Sequence, residues 1–325
     1  MNHGSYFERG AVILSIDTEQ IWGHFDLLDE EQFEARYPET RQIHDRLLQL
    51  LCREGIPATW TVVGMLAQPG SMGGVDPRLA GLPAHWTERI PAGDERSRPL
   101  WYARQFVERL RRARVPQDIG MHGGISHLVW GDPRTTAVVA AHELRHGMEA
   151  LKEIGIRPVS FVFPRDLEAH YTLLRDAGIR CYRGRAPILS ERFGYSKFGA
   201  MVRTAEELLD LTPPPVWPVE TLPGLWNVPA SMAIYCLGRT RSRMVPPRLR
   251  LERTRLGLAA AAAKQGIFHL AMHPENLAES SFAFSVFESM VGDICRRRDR
   301  ERMEVVTMAG ALDRVAADRR ECATA

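Results

Sequence analysis

The chain has 325 residues, of which 45% are hydrophobic and 25% are charged, a composition that is ordinary for a globular protein and allows a large buried core. Its formal net charge of +2 gives no indication of a nucleic-acid partner. The five cysteines stand singly without C-x-x-C spacing, which argues against a disulfide framework and a cysteine zinc site. The amino terminus lacks the features of a signal peptide and no apolar run approaches membrane-spanning length, so we expect a cytoplasmic protein without stable membrane insertion.

Short apolar runs alternate with longer amphipathic stretches along nearly the whole chain. Strands are predicted at residues 11–17, 58–64, 118–122, 159–164, 179–184, 225–234, 267–273 and 303–308. Helices are predicted near residues 40–54, 101–114, 134–154, 166–177, 250–264 and 282–298, four of them closed by a glycine at the C-cap: Gly55, Gly155, Gly178 and Gly266. This alternation is typical of parallel strands covered by helices, and about eight strands favour closure into an α/β barrel within a single domain.

Two segments interrupt the alternation. Residues 67–100 are rich in Gly and Pro, and residues 184–224 contain the string LTPPPVWPVETLPG. Both are predicted to be long inserted loops, which in a compact domain usually form lids or binding walls or are disordered.

Catalytic residues of α/β barrels lie where strands end at the carboxyl side of the barrel. Several charged or ligand-type side chains occupy such positions, and they come from four different strands. Asp17 and Glu19 follow the first predicted strand, His122 and His127 the third, Arg165 the fourth, and His273 the seventh.

Two histidine pairs compete as a metal site. The string HELRH, residues 142–146, matches the H-E-x-x-H pattern of zinc proteases, in which one helix face holds the metal. The periodicity of the surrounding helix, however, places Ala137, Ala141, Leu144, Met148 and Leu151 on the buried face and the two histidines on a polar face. A solvated helix surface is therefore favoured over a protease site.

The second pair is His122 and His127 in the string MHGGISH. Gly123 and Gly124 allow the backbone to turn so that both imidazoles can approach one point, and two imidazoles plus a carboxylate make a common catalytic metal site. On spacing alone, the alternative is a pair of strand-end histidines with structural hydrogen bonds. The HGG string also resembles the oxyanion loop of esterases, but this chain has no G-x-S-x-G nucleophile elbow, so an esterase is not favoured.

Six strings in fixed order carry a resemblance to a known family: AVILSIDTE, IPATWTVVG, DIGMHGGISH, SFVFPRD, GIRCYRG and IFHLAMHPENL. Together they resemble the polysaccharide deacetylase family, which has the NodB homology domain of carbohydrate esterase family 4. The resemblance implies a distorted (β/α)7-type barrel spanning residues 1–325 as one domain, with a core of about residues 11–310 and the two inserted loops.

The resemblance also implies roles for the candidate residues. Asp17 would be the general base, His273 the general acid, and Arg165 would orient Asp17. His122 and His127 would bind a divalent metal, expected to be zinc, and Glu19 would be the third ligand, because Thr18 stands where the family commonly has a second aspartate. Two further departures are the spacing of five between the histidines and the place of Arg165 after the proline of its motif.

The favoured function is removal of an N-linked acetyl group from an N-acetylated sugar of a glycan or glycan precursor, with Trp22 as a ring that stacks on the sugar. A small-molecule amidase or deformylase on the same fold, with or without a metal, is one alternative. A non-catalytic carbohydrate-binding relative is another. The basic run GRTRSR, residues 238–243, is a solvated loop or a contact for a phosphate-bearing substrate.

Overall fold

The computed structural model describes residues 6–189, 197–209, 212–234, 245–301 and 303–324 as one α/β domain. Its first six strands are β1 (Ala11–Thr18), β2 (Thr59–Val62), β3 (Gly70–Met72), β4 (Ala92–Asp94), β5 (Asp118–His122) and β6 (Ser160–Val162). The remaining strands are β7 (Cys181–Arg183), β8 (Val219–Leu222), β9 (Leu225–Asn227), β10 (Met232–Ile234), β11 (Ile267–Met272) and β12 (Glu304–Val306).

The main sheet has the strand order β10-β11-β1-β2-β5-β6-β7-β9-β8, and β12 pairs with the first residues of β1. All its pairings are parallel except that of β8 with β9. Every residue of β1 and β11 is buried, because helices cover the outside of the sheet and side chains fill the inside. Strand β1 therefore lies at the centre of the core.

Residues 225–234 join the two ends of this sheet. Val228 donates a backbone hydrogen bond of 2.9 Å to Tyr182 on one side, and Ser231 donates one of 2.8 Å to His269 on the other. The sequence predicted one strand here; the structure has two short ones, because Pro229 has no N–H to donate and the chain crosses from one neighbour to the other. The fold is the predicted distorted (β/α) barrel.

Ten α-helices are found in the described residues. They are α1 (Glu30–Arg36), α2 (Thr40–Arg53), α3 (Ala84–Thr87), α4 (Arg104–Arg111), α5 (Ala137–Glu153), α6 (Tyr171–Asp176), α7 (Lys197–Leu208), α8 (Pro247–Lys264), α9 (Ser281–Glu301) and α10 (Met308–Thr324). The six predicted helices are present, and α1, α3, α7 and α10 were not predicted. Gly55, Gly155 and Gly178 have positive φ as expected of C-caps, whereas Gln265 rather than Gly266 adopts the left-handed conformation after α8.

The two predicted loops contain folded structure. Residues 67–100 include the β3–β4 hairpin and helix α3, with Leu79, Trp86 and Ile90 buried against the core. Residues 184–224 include α7 and β8; residues 190–196 and 210–211 of this segment, and the basic run at 238–243, lie outside the described residues. The first insertion is therefore a structured wall beside the barrel.

In the part of the chain that the structure describes, no helix is long and apolar enough to cross a membrane.

Candidate functional site

The predicted site residues meet at the carboxyl ends of the barrel strands. Asp17 is the penultimate residue of β1, Glu19 follows that strand, and His122 is the last residue of β5. His127 lies in the loop after β5, and His273 follows β11. Five of the residues expected at the site are thus brought together from three strands.

Glu19, His122 and His127 form a compact buried group. Glu19 Oε2 lies 2.8 Å from His122 Nε2 and 2.9 Å from His127 Nε2, and the two imidazole nitrogens are 3.0 Å apart. The three side chains are at most 5% exposed. Their ligand atoms lie close enough together to bind one metal ion.

The hydrogen bond of His122 leaves its other ring nitrogen able to bind a metal cation. Its Nδ1 lies 3.1 Å from the carbonyl oxygen of Val162, a group that can only accept, so Nδ1 carries the proton and Nε2 presents a lone pair. That lone pair, the second imidazole and the Glu19 carboxylate converge on the same point. Without a cation between them, these lone pairs and the carboxylate would repel one another. Two imidazoles and a carboxylate are ligands that zinc and similar divalent metals prefer.

The pKa values follow from the burial of this group and from its charges. Burial alone would raise the pKa of Glu19, but His273, His127 and His122 hold it well below its usual value. Burial would lower the pKa of His122, yet the carboxylates of Asp17 and Glu19 raise it overall. Burial lowers the pKa of His127. The group therefore keeps a carboxylate that is ionised at neutral pH.

Asp17 is held by an arginine that the sequence interpretation overlooked. Arg183, the last residue of β7, donates from Nη1 to Asp17 Oδ1 at 2.8 Å and from Nη2 to Oδ2 at 2.6 Å. Thr61 donates a third hydrogen bond of 3.1 Å to Asp17. Although burial would raise the pKa of Asp17, the Arg183 charge lowers it to about 2. Arg183 is the penultimate residue of the predicted strand 179–184, so the rule of strand ends could have indicated it as a candidate, though not its role.

The expectation that Arg165 orients Asp17 is wrong. Arg165 lies in the turn after β6 with φ of +57°, and its Nη2 donates to Asp26 Oδ2 at 2.5 Å. From this turn Arg165 reaches Asp26, whereas Arg183, at the end of β7, reaches Asp17. Arg183 also donates to Ser15 Oγ at 3.1 Å, and this hydroxyl lies 2.9 Å from His269 Nε2.

His273 stands at the mouth of the site. Its Nε2 lies 3.5 Å from Asp17 Oδ2 and 3.6 Å from Glu19 Oε1. The side chain is 32% exposed, unlike the nearly inaccessible carboxylates that it faces. His273 can therefore meet a bound molecule from the solvent side. With Asp17 and His122 it forms a second group close enough to share a metal ion.

Trp22 has no exposed ring face, so the expectation that it stacks on a sugar is wrong. Its side chain is fully buried, its Nε1 donates to the carbonyl of Trp101 at 2.8 Å, and its ring packs edge-on against Trp101 and Phe25. Trp22 belongs instead to the short turn that directly follows Glu19, and its packing in the core helps to fix this turn.

The HELRH string has a different role from the one that its pattern suggests. His142 bonds the carbonyl of Arg78 and His146 pairs with Glu149, and both imidazoles are half-buried rather than solvated. Neither belongs to a group of possible metal ligands among the described residues. Glu143, the glutamate between them, is fully buried.

Glu143 holds the loop that carries His127. Its carboxylate accepts hydrogen bonds from the backbone N–H of Ser126, at 3.2 Å, and from the Ser126 hydroxyl. A Cβ at Gly124 would lie 2.5 Å from the Glu143 carbonyl oxygen, so only glycine lets the loop pack this closely. Gly123 with φ of +69° and His127 with φ of +64° complete the turn. This turn explains how histidines five residues apart reach one point.

Two further residues shape the surroundings of Glu19. A Cβ on Gly23 would lie 2.0 Å from Glu19 Oε1, so only glycine at this position leaves enough space for the Glu19 carboxylate. His24 Nε2 lies 3.7 Å from Glu19 Oε1, and burial lowers the pKa of His24 to about 4. His24 is therefore neutral at physiological pH.

No protein-family model matches this sequence, and no curated protein sequence matches it. Solved structures do match. A protein described as a polysaccharide deacetylase from Mycobacterium smegmatis superposes with a TM-score of 0.63 at 18% identity, covering 95% of this chain and 91% of that one.

Two other structures match over similar lengths. A protein described as a polysaccharide deacetylase from Pseudomonas aeruginosa PAO1 gives a TM-score of 0.59 at 9% identity, covering 94% of this chain and 90% of that one. The Puue allantoinase gives 0.60 at 10% identity, covering 95% and 92%. At these identities the likeness establishes the fold, which is that of the polysaccharide deacetylase structures.

Proposed function

We propose that this chain is a divalent-metal-dependent hydrolase of the polysaccharide deacetylase family that removes the acetyl group from an N-acetylated sugar. The observation that carries the proposal is the juxtaposition of two functional sets. Glu19, His122 and His127 converge as ligands, and Asp17 and His273 lie beside them as an acid–base pair 3.5 Å apart.

A divalent metal held by Glu19, His122 and His127, proposed to be zinc, would supply Lewis acidity toward the acyl oxygen and lower the pKa of water. Amide hydrolysis also needs a group that takes the proton of the attacking water. Asp17 suits this role because Arg183 and Thr61 fix its carboxylate and Arg183 keeps it ionised.

His273 suits the role of general acid. Its imidazole lies on the solvent side of the two carboxylates and is accessible to a leaving nitrogen. Breakdown of the tetrahedral intermediate needs a proton on that nitrogen, and a positioned histidine contributes about 10²- to 10⁴-fold to such a step. The proton moves from His273 to the amine while the acyl group leaves as acetate.

The fold supports the reaction class. Structures described as polysaccharide deacetylases and as an allantoinase share this barrel. The retention of an aspartate, a histidine and a paired arginine with competent geometry argues against a non-catalytic relative. A small-molecule amidase is the second candidate, favoured by the match to the allantoinase structure.

Release of acetate from N-acetylglucosamine oligomers tests the proposal. The purified 325-residue chain is treated with a chelator and then reconstituted with zinc, cobalt or manganese. We expect turnover that requires the metal and falls by at least about a hundredfold in both Asp17→Asn and His273→Ala. His146→Ala, at a half-buried histidine that belongs to neither group of possible metal ligands, is the matched control and should retain turnover. Turnover of allantoin or formamides without any turnover of acetylated sugars would select the second candidate.

A further inference from the structure

A cavity of about 270 Å³ lies next to the loop that follows His127. Its wall is formed by the insertion at residues 83–89, the loop after His127 and the turn after β6. We call it the arginine pocket, and its polar lining consists mainly of Asp26, Arg89, Asp132, Arg134 and Arg165, with Trp86 at its base.

The pocket adjoins the loop that carries His127. Leu128 and Val129, which line it, directly follow His127. Trp86 donates from Nε1 to Ser126 Oγ at 3.0 Å, which ties the wall of the pocket to the loop that carries His127. Pro164, which precedes Arg165, lies so close to this loop that a Cβ on Gly123 would fall 2.7 Å from the proline ring. The pocket is therefore next to the loop that carries one of the three proposed metal ligands.

The charges of the pocket are unequal. Arg165 pairs with Asp26 at 2.5 Å, and Arg134 pairs with Asp132 at 2.6 Å. Arg89 has no carboxylate partner among the described residues; its Nη1 donates to the backbone carbonyls of Asp26 and Phe25, at 2.8 and 3.3 Å. The pocket thus has one positive charge more than its carboxylates neutralise.

Arg165 has hydrogen-bond donors available. In the described structure only its Nη2 donates a hydrogen bond, to Asp26, so Nε and Nη1 remain for another acceptor. Arg165 and Asp166 both have positive φ, at +57° and +52°. Left-handed backbone at non-glycine residues costs free energy and is concentrated at functional sites. The turn therefore holds the guanidinium in place at an energetic cost.

We infer that the arginine pocket binds an oxyanion, a carboxylate or a phosphate, carried by the substrate on the part next to its acylated nitrogen. An arginine fork with free donors matches the planar or tetrahedral oxygens of such groups, and the excess charge favours an anion over a neutral hydroxyl. The inference rests on the proposed function, and it narrows the substrate class to acidic or phosphorylated acetylated amines.

Three probes separate the sources of the oxyanion: N-acetylglucosamine, N-acetylglucosamine 6-phosphate and N-acetylmuramic acid. Binding is measured by calorimetry in the zinc-reconstituted Asp17→Asn protein, which does not consume the probe, and turnover is measured in the unmodified chain. We expect at least one anionic probe to bind roughly ten- to a hundredfold more tightly than the neutral sugar.

Arg165→Gln in the same background should reduce that preference to about one, and Arg89→Gln should reduce it at least severalfold. Arg175→Gln, at an exposed arginine on α6, is the matched control and should preserve the preference. Melting temperature and near-ultraviolet circular dichroism establish that each variant is folded.

Equal affinities for all three probes in the Asp17→Asn protein with Arg165 unchanged would overturn the inference. An anion preference that survives both Arg165→Gln and Arg89→Gln would also overturn it. If the preference for anionic probes depends on the arginines but no probe is turned over, the inference about the pocket stands and the proposed function is refuted. Turnover of neutral N-acetylglucosamine without an anion preference would retain the proposed function and refute the pocket.

Discussion

Arg183 and Asp17 form a two-point ion pair in the interior of the barrel, with both side chains at most 5% exposed. The pair joins strand β7 to strand β1 across the barrel. Because each oxygen of the carboxylate accepts from a different guanidinium nitrogen, the pair fixes the orientation of Asp17 as well as its charge.

Arg183→Gln is expected to leave a buried carboxylate without its counter-ion. Breaking a buried pair in this way costs about 3–5 kcal/mol of unfolding free energy, which urea denaturation measures. Arg165→Gln is the matched comparison, because its partly exposed pair with Asp26 should contribute at most about 1 kcal/mol. An equal loss of stability in the two variants would contradict the assignment of Arg183.

Glu143→Ala should weaken metal binding without removing a ligand. It deletes the acceptor of Ser126 N–H and releases the loop that carries His127. Loss of an outer partner of a ligand typically costs 10- to 100-fold in metal affinity. Because burial raises the pKa of Glu143 to about 7, the neutral Glu143→Gln should retain most of the affinity.

Competition with a chromophoric zinc chelator measures these affinities. The Glu143 account fails if Glu143→Ala binds zinc as tightly as the unmodified chain while remaining folded.

Gly23→Ala should displace Glu19. The added methyl group would fall 2.0 Å from Glu19 Oε1, so the carboxylate has to leave its place between the two histidines. We expect zinc affinity to fall at least about tenfold, with a loss of turnover in proportion. Gly292→Ala is the control, since its Cβ would come no closer than 3.5 Å to another group, the end of the flexible Arg296 side chain. Unchanged zinc affinity in Gly23→Ala would argue against Glu19 as a ligand.

Glu275 makes stability depend on pH. Burial raises the pKa of this carboxyl to about 8, from 4.5, while His44, 3.8 Å away, is kept neutral by burial, with a pKa of about 4. The raised pKa means that the folded protein retains a proton that the unfolded chain loses. The stabilisation is complete below pH 4.5 and declines as pH rises to about 8.

Glu275→Gln should remove this decline. Between pH 5 and pH 8 its unfolding free energy, relative to that of the unmodified chain, should therefore rise by up to about 1.4 kcal/mol per pH unit. Urea denaturation at four pH values measures the difference. Parallel pH profiles for the two proteins would show that Glu275 ionises normally.

Much of the barrel and of its site could be predicted from the sequence, because apolar strand runs and the rule of strand ends depend on local pattern. Asp17, Glu19, His122, His127 and His273 lie together for that reason. The role of Arg183 depends on which strands are neighbours across the barrel, and no local pattern encodes this. The same limit applies to Trp22, which is buried against Trp101, a residue distant from it in the sequence.

The HELRH string shows how tertiary context determines the role of a motif. Its histidines bond to a backbone carbonyl and to a neighbouring glutamate, and its own glutamate stabilises the competing histidine pair. Helical periodicity correctly placed Leu144 and Leu151 on the buried face of α5. The other buried residues are Ala140, Glu143, Gly147 and Ala150 rather than the predicted Ala137, Ala141 and Met148.

Anomalous diffraction at the zinc edge, from crystals of the 325-residue chain grown with zinc, is the most direct test of the metal site. We predict a single strong peak within about 2.0–2.2 Å of Glu19, His122 and His127, the distances that zinc takes to carboxylate oxygens and imidazole nitrogens. A peak between His142 and His146, or no peak at the three proposed ligands, would contradict it.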